Sequence, residues 1–144
     1  MLLSALLLLV SLVLHEIAHV HAAGRLGDPT PALLGRRTLN PLAHMDPVGT
    51  IVVPGLLMLA GLPVVGWMRP VPLHEQLLTP SGVAFVALMG PVANAGLAAL
   101  ALCAAGLAGW EWPLELARIN LLLAGFNLLP VPGLDGWRVV RNIL

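Results

Sequence analysis

The sequence predicts an all-α membrane protein, a polytopic helical bundle with one interrupted or re-entrant segment. Hydrophobic residues make up 58% of the 144 and charged residues 10%. A soluble domain carries about 25% charged residues, so this chain has too little charge to cover a water-facing surface. The apolar residues are gathered in long runs, and crossing a bilayer takes about 20 mostly apolar residues in a helix. Short polar stretches divide these runs and hold most of the arginines. Seven basic residues balance seven acidic ones, and a nucleic-acid binder would show a basic excess. Cys103 is the single cysteine, so no internal disulfide forms; packing is its expected role.

The first span runs from Leu2 to about Ala23. A signal peptide needs a basic segment ahead of its apolar run, and the first basic residue here, Arg25, comes after it. Residues 24–47 are polar and proline-rich and read as a structured loop. Residues 49–66 are apolar again, but Pro54, Gly55, Gly61, Pro63 and Gly66 interrupt them. A re-entrant pair or a kinked span is expected there. Residues 82–108 form a long span in which Gly90, Ala95, Gly96 and Ala99 allow close helix approach. A short turn follows, with Trp110 and Trp112 at interface-like positions. Residues 114–129 form the next helix. The run LPVPG breaks it, and a last segment starts near Leu134. No repeat divides the chain, so 1–144 reads as one membrane-embedded core.

The first span carries H-E-I-A-H at 15–19. Positions i and i+4 share a helical face, so His15 and His19 can hold one metal ion. Glu16 stands beside them as a general base for a metal-bound water, the zincin arrangement. Its location sharpens the reading, because each charge near the centre of a membrane helix costs about 2.5–3.5 kcal/mol. Ser4, Ser11, His15 and His19 also align as a polar stripe, which suits a face turned away from lipid.

A catalytic zinc usually has a third protein ligand. Asp28, Asp46, Glu75, Glu111, Glu115, Asp135, His21, His44 and His74 are the candidates. Of these, Asp135 alone follows a broken membrane helix. Irregular backbone at membrane depth is tolerated where it lines a cavity. Asp135 is therefore the expected ligand, against the alternative that it only caps the last helix.

With these residues the chain resembles the site-2 protease family of intramembrane zinc metalloproteases, in its short form without regulatory domains. HEIAH resembles the family's zinc-binding helix. LDG at 134–136 resembles its second metal motif, and FNLLPVPGLDG its N-x-x-P-x-x-x-L-D-G run, with Asn127 as the asparagine. GPVAN at 90–94 resembles its G-P-x-x-N motif, and GRRTLNPLAHMDPVGT and GWMRPVP resemble further segments. The resemblance covers nearly the whole chain. It implies Zn2+ held by His15, His19 and Asp135, Glu16 as catalytic base, and Asn94 and Asn127 in substrate or oxyanion binding. It implies a metalloendopeptidase in a prokaryotic cell membrane that cuts transmembrane protein substrates within the bilayer. Family members commonly continue past L-D-G with another membrane helix, so the chain is expected to be short at its C-terminus.

Zinc binding sets a topological condition. His19 and Asp135 must meet on one side, so three crossings (2–23, 82–108, 114–129) are expected, with 49–66 entering and returning. Arg25, Arg36, Arg37, Arg69, Arg138 and Arg141 then share one side, and Arg118 alone takes the other. Positive residues favour the cytoplasm, so the zinc site is expected nearer that face. His21 is about 200° around the helix from His19 and faces away; His74 reads as a solvated loop residue, and His44 has no derived role. The competing reading is a zinc-binding membrane protein without protease activity, either a metal transporter or an inactive scaffold. A transporter would show polar groups along a path and often repeat symmetry.

Overall fold

The computed structural model describes residues 2–62 and 66–144. Pro63, one of the breaks expected in segment 49–66, lies outside the described residues. The described helices are α1 (Leu2–Arg25), α2 (Thr30–Leu33), α3 (Val53–Leu59), α4 (Pro80–Ala108), α5 (Trp112–Asn127) and α6 (Asp135–Ile143). Among the described residues the secondary structure is helical apart from one isolated antiparallel bridge between Met45 and Met68. α1 and α4 are long and apolar enough to cross a membrane.

Local chemistry sets the ends of α4. Thr79 caps its start, with the hydroxyl accepting from Gly82 N–H and Pro80 in the first turn, where a missing N–H costs nothing. The helix therefore begins two residues before the expected span. Gly109 ends it with φ of 65°, a left-handed conformation that glycine adopts without a Cβ clash. The chain reverses there into α5.

Side-chain pairings give the register of the three long helices. Along α4, Val86 meets His19 and Asn94 meets His15, so α4 runs antiparallel to α1. Asn94 meets Asn120, while Ala98 and Ala101 pack on Ala117, so α5 runs antiparallel to α4. Alanine at all three of the latter positions lets these backbones approach closely.

α5 keeps the expected length but is shifted two residues toward the N-terminus from 114–129. It ends at Asn127 instead of 129 and has 16 residues, about 24 Å of helix against a hydrocarbon core of about 30 Å. The register explains where it stops. α1 and α5 run parallel, and His15 lies about 20 Å from the start of α1 and Asn127 about 22 Å from the start of α5. α5 thus stops at the depth of the histidines. The chain then folds back sharply through Gly133, with φ of 98°, into α6. A Cβ on Gly136 would collide with the Leu128 and Leu129 carbonyls, so glycine is required where α6 starts against the end of α5.

Residues 44–50 and 67–69, which flank the apolar segment, lie together. Pro47–Val52 is a π-helical turn that continues into α3. Trp67 N–H donates to Gly49 O at 3.1 Å and Arg69 N–H to His44 O at 2.8 Å. Thr50 Oγ1 donates to Trp67 O at 2.8 Å. The chain therefore comes back to the place it left. Met68 packs with Leu12 and Val13 of α1, which sets the returning residues 66–71 beside the histidine face. Cys103, expected to pack, is exposed.

Candidate metal centre

His15, His19 and Asp135 converge from two helices distant in sequence. His15 Nε2 lies 3.1 Å from His19 Nε2 and 3.1 Å from Asp135 Oδ2; His19 Nε2 lies 3.2 Å from the same oxygen. Both imidazoles are 3% exposed and Asp135 is 9% exposed. The remaining candidates for a third ligand stand elsewhere. Among the described residues, these three form the one cluster of His, Cys, Asp or Glu able to share an ion.

The hydrogen-bond network determines which imidazole nitrogens carry protons. Asn120 Nδ2 contacts Leu116 O at 2.9 Å, and a backbone carbonyl can only accept. That orients the Asn120 amide, so its Oδ1 accepts from Asn94 Nδ2 at 2.7 Å. Asn94 Oδ1 must then face His15 Nδ1, and that nitrogen carries the hydrogen. His19 Nδ1 faces Val86 O at 2.7 Å and carries one for the same reason. In the neutral form each imidazole then keeps an Nε2 lone pair on the side of Asp135. Three lone-pair atoms thus meet in a buried space, an arrangement that repels itself and is stabilised by a cation. Orientation of ligating histidines through their other nitrogen is the usual support of a metal site.

These residues fit a zinc ion. Bonds of about 2.0–2.1 Å at tetrahedral angles place ligand atoms about 3.3 Å apart, close to the distances found here. Gly90 explains the close approach of α4: a Cβ there would collide with Nε2 of both His15 and His19. Glu16 Oε2 is buried without a hydrogen-bond partner among the described residues. The carboxylate lines, with the three ligand residues, a cavity of about 420 Å3. Trp67, Met68, Val71, Leu123, Phe126, Asn127 and Arg138 complete much of its wall.

The two asparagines singled out by resemblance are placed differently. Asn127 lines the cavity; its Nδ2 gives one hydrogen to Leu123 O at 2.9 Å, leaving the second hydrogen and Oδ1 for a ligand. Asn94 is fully buried and is not in the cavity wall. Its amide is committed to His15 and Asn120, so the structure places it against the back of His15 and outside the cavity where a contact with substrate or oxyanion was expected. Asn120 was missed as a member of this network, although its place on one face with Ala124 and Asn127 was visible in the sequence. It also donates to Ser11 Oγ at 2.9 Å, and that hydroxyl donates to Leu7 O. The polar stripe on α1 is thereby absorbed inside the bundle.

His21 turns away, its Nδ1 donating to Ile17 O, and His74 is exposed. His44 is fully buried, with Nε2–H donating to Thr38 O at 2.8 Å. Asp28 is no ligand: it pins the loop after α1, accepting from Thr30 N–H at 2.9 Å and His74 N–H at 2.8 Å. Burial pushes its carboxyl up, but these hydrogen bonds outweigh burial and hold it below the usual carboxylate range.

A paired-histidine helix with an adjacent glutamate and a carboxylate third ligand defines a zincin-type metal centre. No family model matches the chain, and no solved structure matches it. Among curated proteins, it is 36% identical over 153 aligned positions to "Putative zinc metalloprotease YwhC" of Bacillus subtilis, which covers 95% of this chain and 67% of that one. It is 36% identical over 141 positions to "Putative zinc metalloprotease Rip2" of Mycobacterium tuberculosis, covering 92% and 54%. It is 26% identical over 144 positions to "Zinc metalloprotease MJ0392" of Methanocaldococcus jannaschii, covering 96% and 33%. The chain spans about two thirds of the first of these relatives and about half of the second. The chain belongs to the site-2 protease family of zinc metalloproteases.

Proposed function

We propose that the chain is the catalytic core of an intramembrane protease that hydrolyses peptide bonds within transmembrane helices of membrane-protein substrates. The observation that carries this reading is a buried His15–His19–Asp135 cluster, with unpartnered Glu16 beside it, built on a helix apolar enough to cross a bilayer. His15, His19 and Asp135 hold the zinc. When bound, zinc supplies Lewis-acid activation of water and of the scissile carbonyl. Glu16 takes a proton from the attacking water and delivers it to the leaving nitrogen. Asn127 offers a hydrogen-bond donor to the carbonyl oxygen as charge develops on it. Asn94 and the Val86 carbonyl keep both imidazoles in the tautomer that leaves Nε2 free.

The membrane arrangement belongs to the same proposal. α1 and α4 cross, and α5 descends from the outer face to the depth of the zinc. The segment 49–66, of which 63–65 lie outside the described residues, enters and returns, a reading supported by the meeting of Gly49 and Thr50 with Trp67. The exposed apolar side chains of that excursion, Ile51, Val52, Leu56 and Leu59, face lipid or an incoming helix. The zinc lies nearer the cytoplasmic face of a prokaryotic cell membrane, on the side of the six arginines.

Co-reconstitution of zinc-loaded protein with a single-span substrate tests the activity. Mass spectrometry is expected to place the cut inside the membrane segment. Metal flux without cleavage would instead select a transporter. Topology is tested by labelling L26C and W110C in a C103S background. Opposite sides are expected, and labelling of both from one side contradicts the arrangement.

A further inference from the structure

α6 carries two arginines with different surroundings. Arg141 is paired: its Nη2 meets Glu75 Oε1 at 2.7 Å and Oε2 at 2.8 Å. Arg138 has no carboxylate partner among the described residues. Its one hydrogen bond to protein is a long one, 3.4 Å from Nη2 to Val71 O. A guanidinium has five N–H donors in a rigid fork, so most of its capacity is uncommitted. Arg138 follows Asp135 by three residues on α6, which puts the two on one helical face. The side chain is half-buried and lines the cavity that holds Glu16 and the metal cluster. It is the one Arg or Lys in that described wall.

Charge balance then gives Arg138 a task. The cavity wall holds two carboxylates, Glu16 and Asp135, and one guanidinium. Asp135 is committed to His15 and His19, and among the described residues neither carboxylate pairs with Arg138. Much of the remaining wall is apolar, Leu12, Met68, Val71, Leu123 and Phe126 among it. An unpaired guanidinium is costly in such surroundings, and the part of the cavity that Arg138 lines is therefore complementary to an anionic group.

Hydrolysis produces such a group. A C–O bond forms from water to the scissile carbonyl carbon and the C–N bond breaks. Both water protons end on the leaving nitrogen, which departs as an ammonium, and the negative charge stays on the new carboxylate. We infer that Arg138 is the anion-binding group of this cavity and holds the C-terminal carboxylate of the N-terminal cleavage product. This rests on the protease reading above. Planar, bidentate pairing with a carboxylate is the geometry a guanidinium serves best.

The test uses binding, which is separable from turnover. Two peptides represent the N-terminal half of a cleaved transmembrane substrate, one ending in a free carboxylate and one in an amide. Their affinities are measured for zinc-loaded wild type, R138Q and R138K in detergent micelles. R138Q is expected to weaken the carboxylate peptide about 10-fold or more, equivalent to about 1.4 kcal/mol, and to leave the amide peptide unchanged. R138K is expected to fall between wild type and R138Q, and it serves if R138Q does not fold. Equal weakening of both peptides, or of neither, overturns the assignment. So does a wild type that cleaves its substrate yet binds the two peptides alike. A wild type that neither cleaves a membrane helix nor binds either peptide overturns the protease reading and this assignment with it.

Discussion

Gly90→Ala should cost the protein its metal while sparing its helices. A Cβ at position 90 would lie 2.5 Å from both Cε1 and Nε2 of His15, and as near to Nε2 of His19, where ordinary contact begins at 3.4 Å. One group must therefore yield by about 1 Å, whereas metal–ligand distances tolerate about 0.2 Å. His15 cannot retreat freely, because its Nδ1 is tied to Asn94. Disturbing only the outer partners of a ligand costs 10–100-fold in metal affinity, so direct displacement of two ligands is expected to cost about 100-fold or more. That factor corresponds to about 2.7 kcal/mol. Gly96→Ala is the control: it lies on the same helix, and a Cβ there meets nothing within 4 Å. Zinc affinity by chelator competition, with helicity by circular dichroism, separates the two variants. A G90A protein with wild-type zinc affinity would refute the geometry of the site.

Other substitutions probe its surroundings. Asn94→Leu removes the acceptor of His15 Nδ1 and is expected to weaken zinc binding about 10–100-fold; Asn94→Asp, which keeps an acceptor there, should lose less. Asp28→Asn is expected to destabilise the protein by about 1–3 kcal/mol at neutral pH, since a carboxylate serving two backbone donors becomes an amide. The folded Asp28 pKa lies below its unfolded value of about 3.9, so this stabilisation is present above that pH and lost as pH falls through the folded pKa. Melting curves should accordingly show a wild-type advantage at pH 6 that shrinks below about pH 4. Arg141→Gln breaks a solvent-exposed pair with Glu75 and is expected to change stability by about 1 kcal/mol or less.

The residues of the candidate metal cluster were legible because their signals are local or punctuated. His15 and His19 are one helical turn apart, and Asp135 stands directly after a proline-broken helix. The re-entrant path expected for residues 49–66 came from the requirement that His19 and Asp135 meet, and the meeting of the residues that flank it carried no local signal. What pins it, hydrogen bonds from residues 67 and 69 back to 49 and 44, is long-range pairing with no sequence period. The end of α5 was misplaced by two residues for a related reason. Hydropathy continues through Leu128 and Leu129, but the helix ends where Gly136 must press against their carbonyls. The place of Asn94 was not legible because its type fits either an oxyanion contact or a buried relay. Only the fixed orientation of Asn120 distinguishes the two. Gly90 looked like one small residue among several on α4, and nothing local marks it as the one facing both imidazoles.

The central claim is that Glu16 moves the proton in a peptide-bond hydrolysis while His15, His19 and Asp135 hold the metal. It is tested most directly by comparing purified, zinc-loaded wild type and Glu16→Gln, each reconstituted with a transmembrane substrate. The wild type should cleave within the membrane segment, and the variant should keep its zinc and leave the substrate intact. Cleavage by the zinc-loaded variant at a rate near wild type would contradict the account.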